Sequence, residues 1–291
     1  MSAIGAAGEP ISFSARDGRS LGGLLLRAIA PRGTVLMNAA TGFRREFYLK
    51  FASYSAERGF HTLVYDYRGA GANAIQPLTE ESARMSDWGM LDMPAALDAL
   101  AARFPQLPLV TVGHSVGGQL IGCMYNHSRA QAHLLVATST GYWRLHRAPF
   151  RYAALYWWKV HGPLMLRLHG YVPRGVFWRG DDLPRGVWLQ WRRWCLNRSY
   201  FGIDLDGDLR GSDFGAMRAP ILVLGFTDDP IATPRAVEAL LSYYSNAPIE
   251  RRWTRPADVG ARAIGHHGFF AERHRDSLWR EALDWIEARC A

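Results

Sequence analysis

The chain has 291 residues, of which 48% are hydrophobic and 21% charged, enough apolar side chain for one large core and too much for global disorder. Its formal net charge is +8, but the excess is arginine scattered along the chain without a run of five or more, a pattern that disfavours a nucleic-acid partner. No apolar run approaches the roughly 18 residues needed to span a bilayer.

Short β-type runs alternate with helical stretches along the chain. Ile11 to Ala15 and Leu21 to Leu26 predict two opening strands joined by a turn at Asp17-Gly18. Thr34 to Asn38 is a buried apolar run, Arg45 to Arg58 has helical periodicity, and His61 to Tyr65 is the next strand. Asp87 to Arg103 predicts a helix, Leu109 to Gly113 a strand, Val116 to Met124 a helix and His133 to Ala137 a strand. From Gly141 to about Gly215 the pattern breaks: no clear strand is legible, and seven of the eleven tryptophans fall there. Alternation then resumes with a strand at Pro220-Ile221 to Phe226, a helix at Pro234 to Tyr244, a strand at Ile249 to Trp253 and a closing helix at Asp276 to Arg289.

This order predicts an α/β fold with a mostly parallel sheet covered on both faces. Residues 1–140 and 216–291 form its core domain, and 141–215 read as a helical cap inserted over the carboxyl ends of the strands, where sites in such sheets lie. Cys123, Cys195 and Cys290 have neither zinc spacing nor a disulfide pattern, and MSAIGAAGEP lacks the features of a secretory signal. Both point to a cytoplasmic setting. Asp204-Leu205-Asp206-Gly207-Asp208 hints at a calcium loop, but Leu209 and Gly215 stand where glycine and glutamate are needed, so it reads as a polar turn.

The strongest chemical offer is Gly113-His114-Ser115-Val116-Gly117. Such a pattern is weak alone, but here it lies between a predicted strand and a predicted helix. A serine on that tight turn is strained, and glycines two before and two after remove side chains that would collide. The Val116 amide, at the start of the helix, could donate to an oxyanion. A serine hydroxyl needs a base, and the chain order for this architecture is nucleophile, acid, histidine. LGFTDDPIATP supplies Asp228 and Asp229, and AIGHHGFF supplies His266 and His267, each after a strand. His114 reads as a packing residue, and Asp66 and Arg68 as braces of the loop after the fourth strand.

These features together, with NAATGFRREFY after the third strand and YDYRGAGAN after the fourth, resemble the α/β-hydrolase superfamily over nearly the whole chain. The similarity is greatest to capped bacterial serine hydrolases of the serine aminopeptidase-like group. It implies a Ser115–His266–Asp229 triad, with Asp229 favoured over Asp228 by the family's Asp-Pro-aliphatic spacing, although counting from Gly225 favours Asp228. It implies an oxyanion hole of Val116 and a second amide. Two departures stand out. Asn38-Ala39-Ala40-Thr41-Gly42 replaces the usual His-Gly pair, which leaves Thr41, with Ala40 close behind, as the second donor. Asn73 replaces a serine that usually closes the loop after the fourth strand. The implied activity is cleavage of a carboxylic ester on a small acyl substrate with an apolar portion, without metal or cofactor. An acyltransferase or peptidase using the same triad, or a non-catalytic binding protein, are the alternatives. Membrane-surface contact through the tryptophan-rich segment is not favoured, and the oligomeric state is left open.

Overall fold

The computed structural model describes residues 8–290. Eight strands form one sheet in the order β1-β2-β4-β3-β5-β6-β7-β8. Their ranges are β1 Glu9–Ser14, β2 Ser20–Leu26, β3 Gly33–Asn38, β4 Phe60–Tyr65, β5 Leu109–His114, β6 Ala132–Val136, β7 Ile221–Phe226 and β8 Ile249–Thr254. β1 pairs β2 and β2 pairs β4 antiparallel, while every other pairing from β4 to β8 is parallel. The opening hairpin turns at Gly18, whose φ of +83° suits the missing side chain.

Strands β3 to β7 are buried at every residue, as strands covered on both faces must be, whereas the edge strand β8 is half-exposed. β1 alternates in burial and so faces the core on one side only. Helices Leu49–Glu57, Met93–Arg103, Pro234–Leu241 and Arg280–Cys290 pack on the sheet. The predicted helix after Ser115 is shorter than expected. It is α-helical only over Val116–Gln119 and tightens to a 3-10 turn at Ile121–Cys123. Its macrodipole is correspondingly small, so any anion binding there rests on the amide itself.

Between β6 and β7 the chain leaves the sheet for a helical segment. It contains a helical run over 150–169, a helix Arg185–Leu196 and an isolated bridge between Val172 and Leu183. Trp188 and Trp194 are fully buried there. Asp204 is no ion site: its carboxylate accepts from the Trp194 indole (2.6 Å) and the Arg193 guanidinium (2.6 Å). Among the described residues no helix is long and apolar enough to cross a membrane.

Candidate active site

β5 ends at His114, and the chain reverses at Ser115 with φ +51° and ψ −114°, a conformation that L residues avoid. Neighbouring backbone holds it there. The Ser115 N–H donates to the Val136 carbonyl (3.0 Å), and the Ser115 carbonyl accepts from the Gly118 and Gln119 amides. A Cβ on Gly113 would come within 2.5 Å of Gly118, and one on Gly117 within 2.2 Å of the Asn38 carbonyl oxygen. Both glycines are therefore required by close approach.

The two later segments reach the same point. His266, after β8, places Nε2 3.0 Å from Ser115 Oγ, and its Nδ1 lies 2.7 Å from Asp229 Oδ2. Asp229 follows β7 and is buried, with Oδ1 accepting from the Ile231 (2.7 Å) and Ala232 (3.0 Å) amides. Burial pushes its pKa up, but His266 and those amides outweigh it and hold the carboxyl below its ordinary value. An ionised Asp229 fixes the proton on His266 Nδ1 and leaves Nε2 to accept from the serine hydroxyl. Asp228 points elsewhere. Its Oδ2 accepts from the Ile264 (2.9 Å) and Gly265 (3.0 Å) amides and so staples the histidine-bearing loop to β7.

His114 is fully buried and bridges three parts of the site. Its Nε2 donates to the His266 carbonyl (2.9 Å), which can only accept. Burial, then the charges of His266 and His267, keep its pKa well below the ordinary value, so the ring is neutral and Nδ1 is an acceptor. That nitrogen takes the proton of Tyr48 Oη at 2.9 Å, and Tyr48 Oη in turn accepts from the Ala40 N–H at 2.8 Å. One chain of hydrogen bonds thus runs from the loop after β3, through the residue beside the serine, to the backbone of the histidine. The Ala40 amide is consumed in it. The Thr41 and Val116 amides, by contrast, have no partner among the described residues. One ring nitrogen from each of His114, His266 and His267 lies within 4.8 Å of the other two, but both nitrogens of His114 and of His266 are already engaged, which does not suit a resident metal.

Asp66 and Arg68 brace the loop after β4. Asp66 accepts from the Arg45 (2.8 Å) and Ala72 (3.1 Å) amides, and Arg68 bonds Asp92 (2.7 Å) and Asp17 (2.6 Å). Asn73 serves the same loop, accepting from the Gly22 N–H at 2.8 Å and donating to the Gly22 carbonyl at 3.1 Å.

A largely apolar cavity of about 170 Å³ is lined by His146, Phe150, Trp157, Trp158, Trp178 and Trp191, and it also touches Ile231, two residues beyond Asp229. An engineered apolar cavity of about 150 Å³ holds a benzene ring, which sets the scale. Both His146 ring nitrogens and the indole nitrogens of Trp157 and Trp158 are buried without a partner among the described residues. Neither the lining of this cavity nor that of the larger depression around Arg32 and Arg58 includes Ser115, Asp229 or His266; the tryptophan cavity differs in reaching Ile231, beside Asp229 in the chain. Sequence reasoning missed Tyr48 and His146. Tyr48 closes the NAATGFRREFY stretch, but only the fold sets its hydroxyl against His114, and His146 lies in no recognisable pattern.

The chain matches the family model described as serine aminopeptidase, S33, over residues 29–172. No curated protein sequence matches it. Among solved structures it is similar to a monoglyceride lipase from Saccharomyces cerevisiae, with TM-score 0.67 and 14% identity over 99% of this chain and 97% of the other. It is also similar to a carboxyl esterase from Bacillus coagulans, with TM-score 0.61 and 14% identity over 98% of this chain and 99% of the other. At such identities the likeness is one of fold: the sheet order and the strand–serine–helix turn are those of the α/β-hydrolase fold.

Proposed function

We propose that the protein is a serine hydrolase that cleaves a carboxylic ester through an acyl-enzyme on Ser115. The observation that carries this reading is the unbroken hydrogen-bonded line from Asp229 through His266 to Ser115 Oγ, on a strained turn that lifts the hydroxyl off the sheet. His266 Nε2 takes the hydroxyl proton as Oγ attacks the ester carbonyl carbon. The same proton then passes to the departing alkoxide, which leaves as the alcohol. Water, deprotonated by His266, attacks the acyl carbon, and Ser115 recovers its proton as the acid is released. Asp229 holds the imidazole tautomer and stabilises its charged form. The unpartnered amides of Val116 and Thr41 are the oxyanion donors, each contributing about 3 kcal/mol to the transition state.

Residues 141–215 act as the cap, and the tryptophan-lined cavity beside Asp229 receives the apolar acyl portion of a small substrate. The two structural neighbours, a monoglyceride lipase and a carboxyl esterase, support an ester rather than a peptide bond. The family description keeps aminopeptidase action in view. That action would need a carboxylate in the cavity to hold a free amine, and its lining contains none.

Intact-mass measurement after exposure to a fluorophosphonate tests this reading. One adduct on the wild type and none on Ser115→Ala, with hydrolysis of a short-chain 4-nitrophenyl ester lost in the variant, is the expected result. Equal labelling of both proteins, or of neither, rejects it.

A further inference from the structure

The helical run 150–169 comprises an α-helix Phe150–Tyr156, a π turn Trp157–His161 and an α-helix Gly162–His169, about 30 Å in all. Its inner face buries Ala154, Trp157, Trp158 and Leu166. A surface helix normally turns polar side chains outward. This one presents Tyr152, Tyr156, Val160, Leu164 and Leu168, each between 45 and 64% exposed. The residues recur every four positions. On an ideal α-helix such a row drifts by about 40° per step, and the π turn at its middle, with more residues per turn, takes up part of that drift. Phe177, in the following loop, extends the row: its ring lies 5.6 Å from Tyr156 and 4.8 Å from His161, and Val176 beside it is exposed. Apolar side chains scattered singly on a surface need no explanation, but a continuous strip does.

The charge around the strip is one-sided. No aspartate or glutamate occurs between Asp98 and Asp181. Residues 141–180 carry seven cations: Arg144, Arg147, Arg151, Lys159, Arg167, Arg174 and Arg179. None of them forms an ion pair among the described residues, although arginines elsewhere commonly do, as Arg44 with Asp181 and Arg193 with Asp204. Lys159 and Arg167 are exposed on the helical run itself, and Arg174 and Arg179 flank Val176 and Phe177. Phe177 also lines the tryptophan cavity, so strip and cavity meet at one residue.

We propose that this face docks on an anionic lipid surface, its apolar row entering the headgroup region and its unpaired cations meeting lipid phosphates. Apolar burial and electrostatic attraction are the two terms that set the binding of interfacial helices, and here they share one face. A second copy of the chain is a poorer occupant, because Lys159, Arg167, Arg174 and Arg179 beside the row would meet like charges. The reading is independent of the bond the site cleaves.

Co-sedimentation of the full-length protein with vesicles tests it. Vesicles of equimolar phosphatidylglycerol and phosphatidylcholine should carry the wild type down, and pure phosphatidylcholine should bind it roughly tenfold more weakly. Replacing Val160, Leu164 and Leu168 together by serine should lower partition to the anionic vesicles by roughly tenfold. Hydrolysis of a soluble short-chain ester and fluorophosphonate labelling should stay unchanged in that variant, which shows that it is folded. Lys159→Glu with Arg167→Glu should weaken binding and flatten its salt dependence. A wild type that stays in the supernatant, a serine variant that binds equally well, or equal binding to both vesicle types overturns the proposal. So does a wild-type dimer in sedimentation velocity that the serine variant abolishes, which would assign the face to a second copy.

Discussion

Replacing Tyr48 by phenylalanine removes one oxygen from the centre of the hydrogen-bonded chain behind the serine. The ring keeps its place, because its packing is aromatic: it meets Phe270 edge-on at 4.8 Å and Phe47 at 5.1 Å. Two buried groups lose their partners, the Ala40 N–H and His114 Nδ1. A buried polar group left unsatisfied costs about 1–3 kcal/mol, so the pair should cost about 2–5 kcal/mol of stability. Tyr243→Phe is the control. Its hydroxyl donates to the Ser199 carbonyl at an exposed position, and its loss should cost below about 1 kcal/mol. Urea unfolding followed by tryptophan fluorescence gives both values, provided the slope of stability against urea is the same in each protein. Tyr48→Phe should also lower kcat, since the same hydroxyl ties the Ala40–Thr41 loop to the neighbour of Ser115. A loss no greater than that of Tyr243→Phe would refute the assignment of the chain.

Asp229→Asn should lower kcat by roughly 10⁴-fold, by presenting the wrong group to His266 Nδ1, while leaving the unfolding midpoint little changed. Asp228→Asn keeps an acceptor for the Ile264 and Gly265 amides, and its kcat should fall by less than about tenfold in the same ester assay. Gly117→Ala drives a Cβ to within 2.2 Å of the Asn38 carbonyl and should cost about 3 kcal/mol or more, read as a lowered melting temperature. His146, buried and further opposed by the charge of His266, has its pKa pushed down from 6.5 to about 4. The unfolded chain therefore takes up this proton first as pH falls. The stability contributed by the neutral ring is complete above pH 6.5 and is lost progressively towards pH 4, by at most about 3 kcal/mol. Other histidines, such as His114 and His267, are depressed in the same way. His146→Leu should therefore lessen the slope of the unfolding midpoint across that window without abolishing it, and an unchanged slope would remove His146 from the account.

How far the sequence can be read depends on the range of the interactions involved. The buried strands are legible because a strand covered on both faces is an unbroken apolar run, as in the residues of β3 and β5. The serine turn is legible because its steric demand is local: Gly113 and Gly117 lie within two residues of Ser115. Sequence counting leaves Asp228 and Asp229 open, since both follow β7 and differ only in which way the turn aims them. The structure aims Asp229 at His266 and Asp228 at the loop that carries it. The helix after Ser115 reads too long, because the apolar sequence does not show where Leu120 closes the turn early. His114 reads as packing, and its bonds to Tyr48 and the His266 carbonyl join residues 66 and 152 positions apart, beyond any local pattern. The exposed row on the helical run is hidden in an apolar segment, where composition cannot tell an inner face from an outer one.

β6 and β7 are hydrogen-bonded neighbours, paired from His133↔Ile221 to Val136↔Leu224, although everything from Ala137 to Pro220 intervenes. Holding the ends of so long a detour together is inexpensive: each doubling of loop length adds about 0.6 kcal/mol, so the detour costs about 2 kcal/mol more than a ten-residue turn. The buried indoles of Trp188 and Trp194 give the detour packing of its own to set against that cost. The sheet therefore places little constraint on what is spliced between these two strands. If the splice is the cap proposed above, exchanging it should change substrate preference while the serine turn and the histidine loop, encoded outside it, keep their geometry.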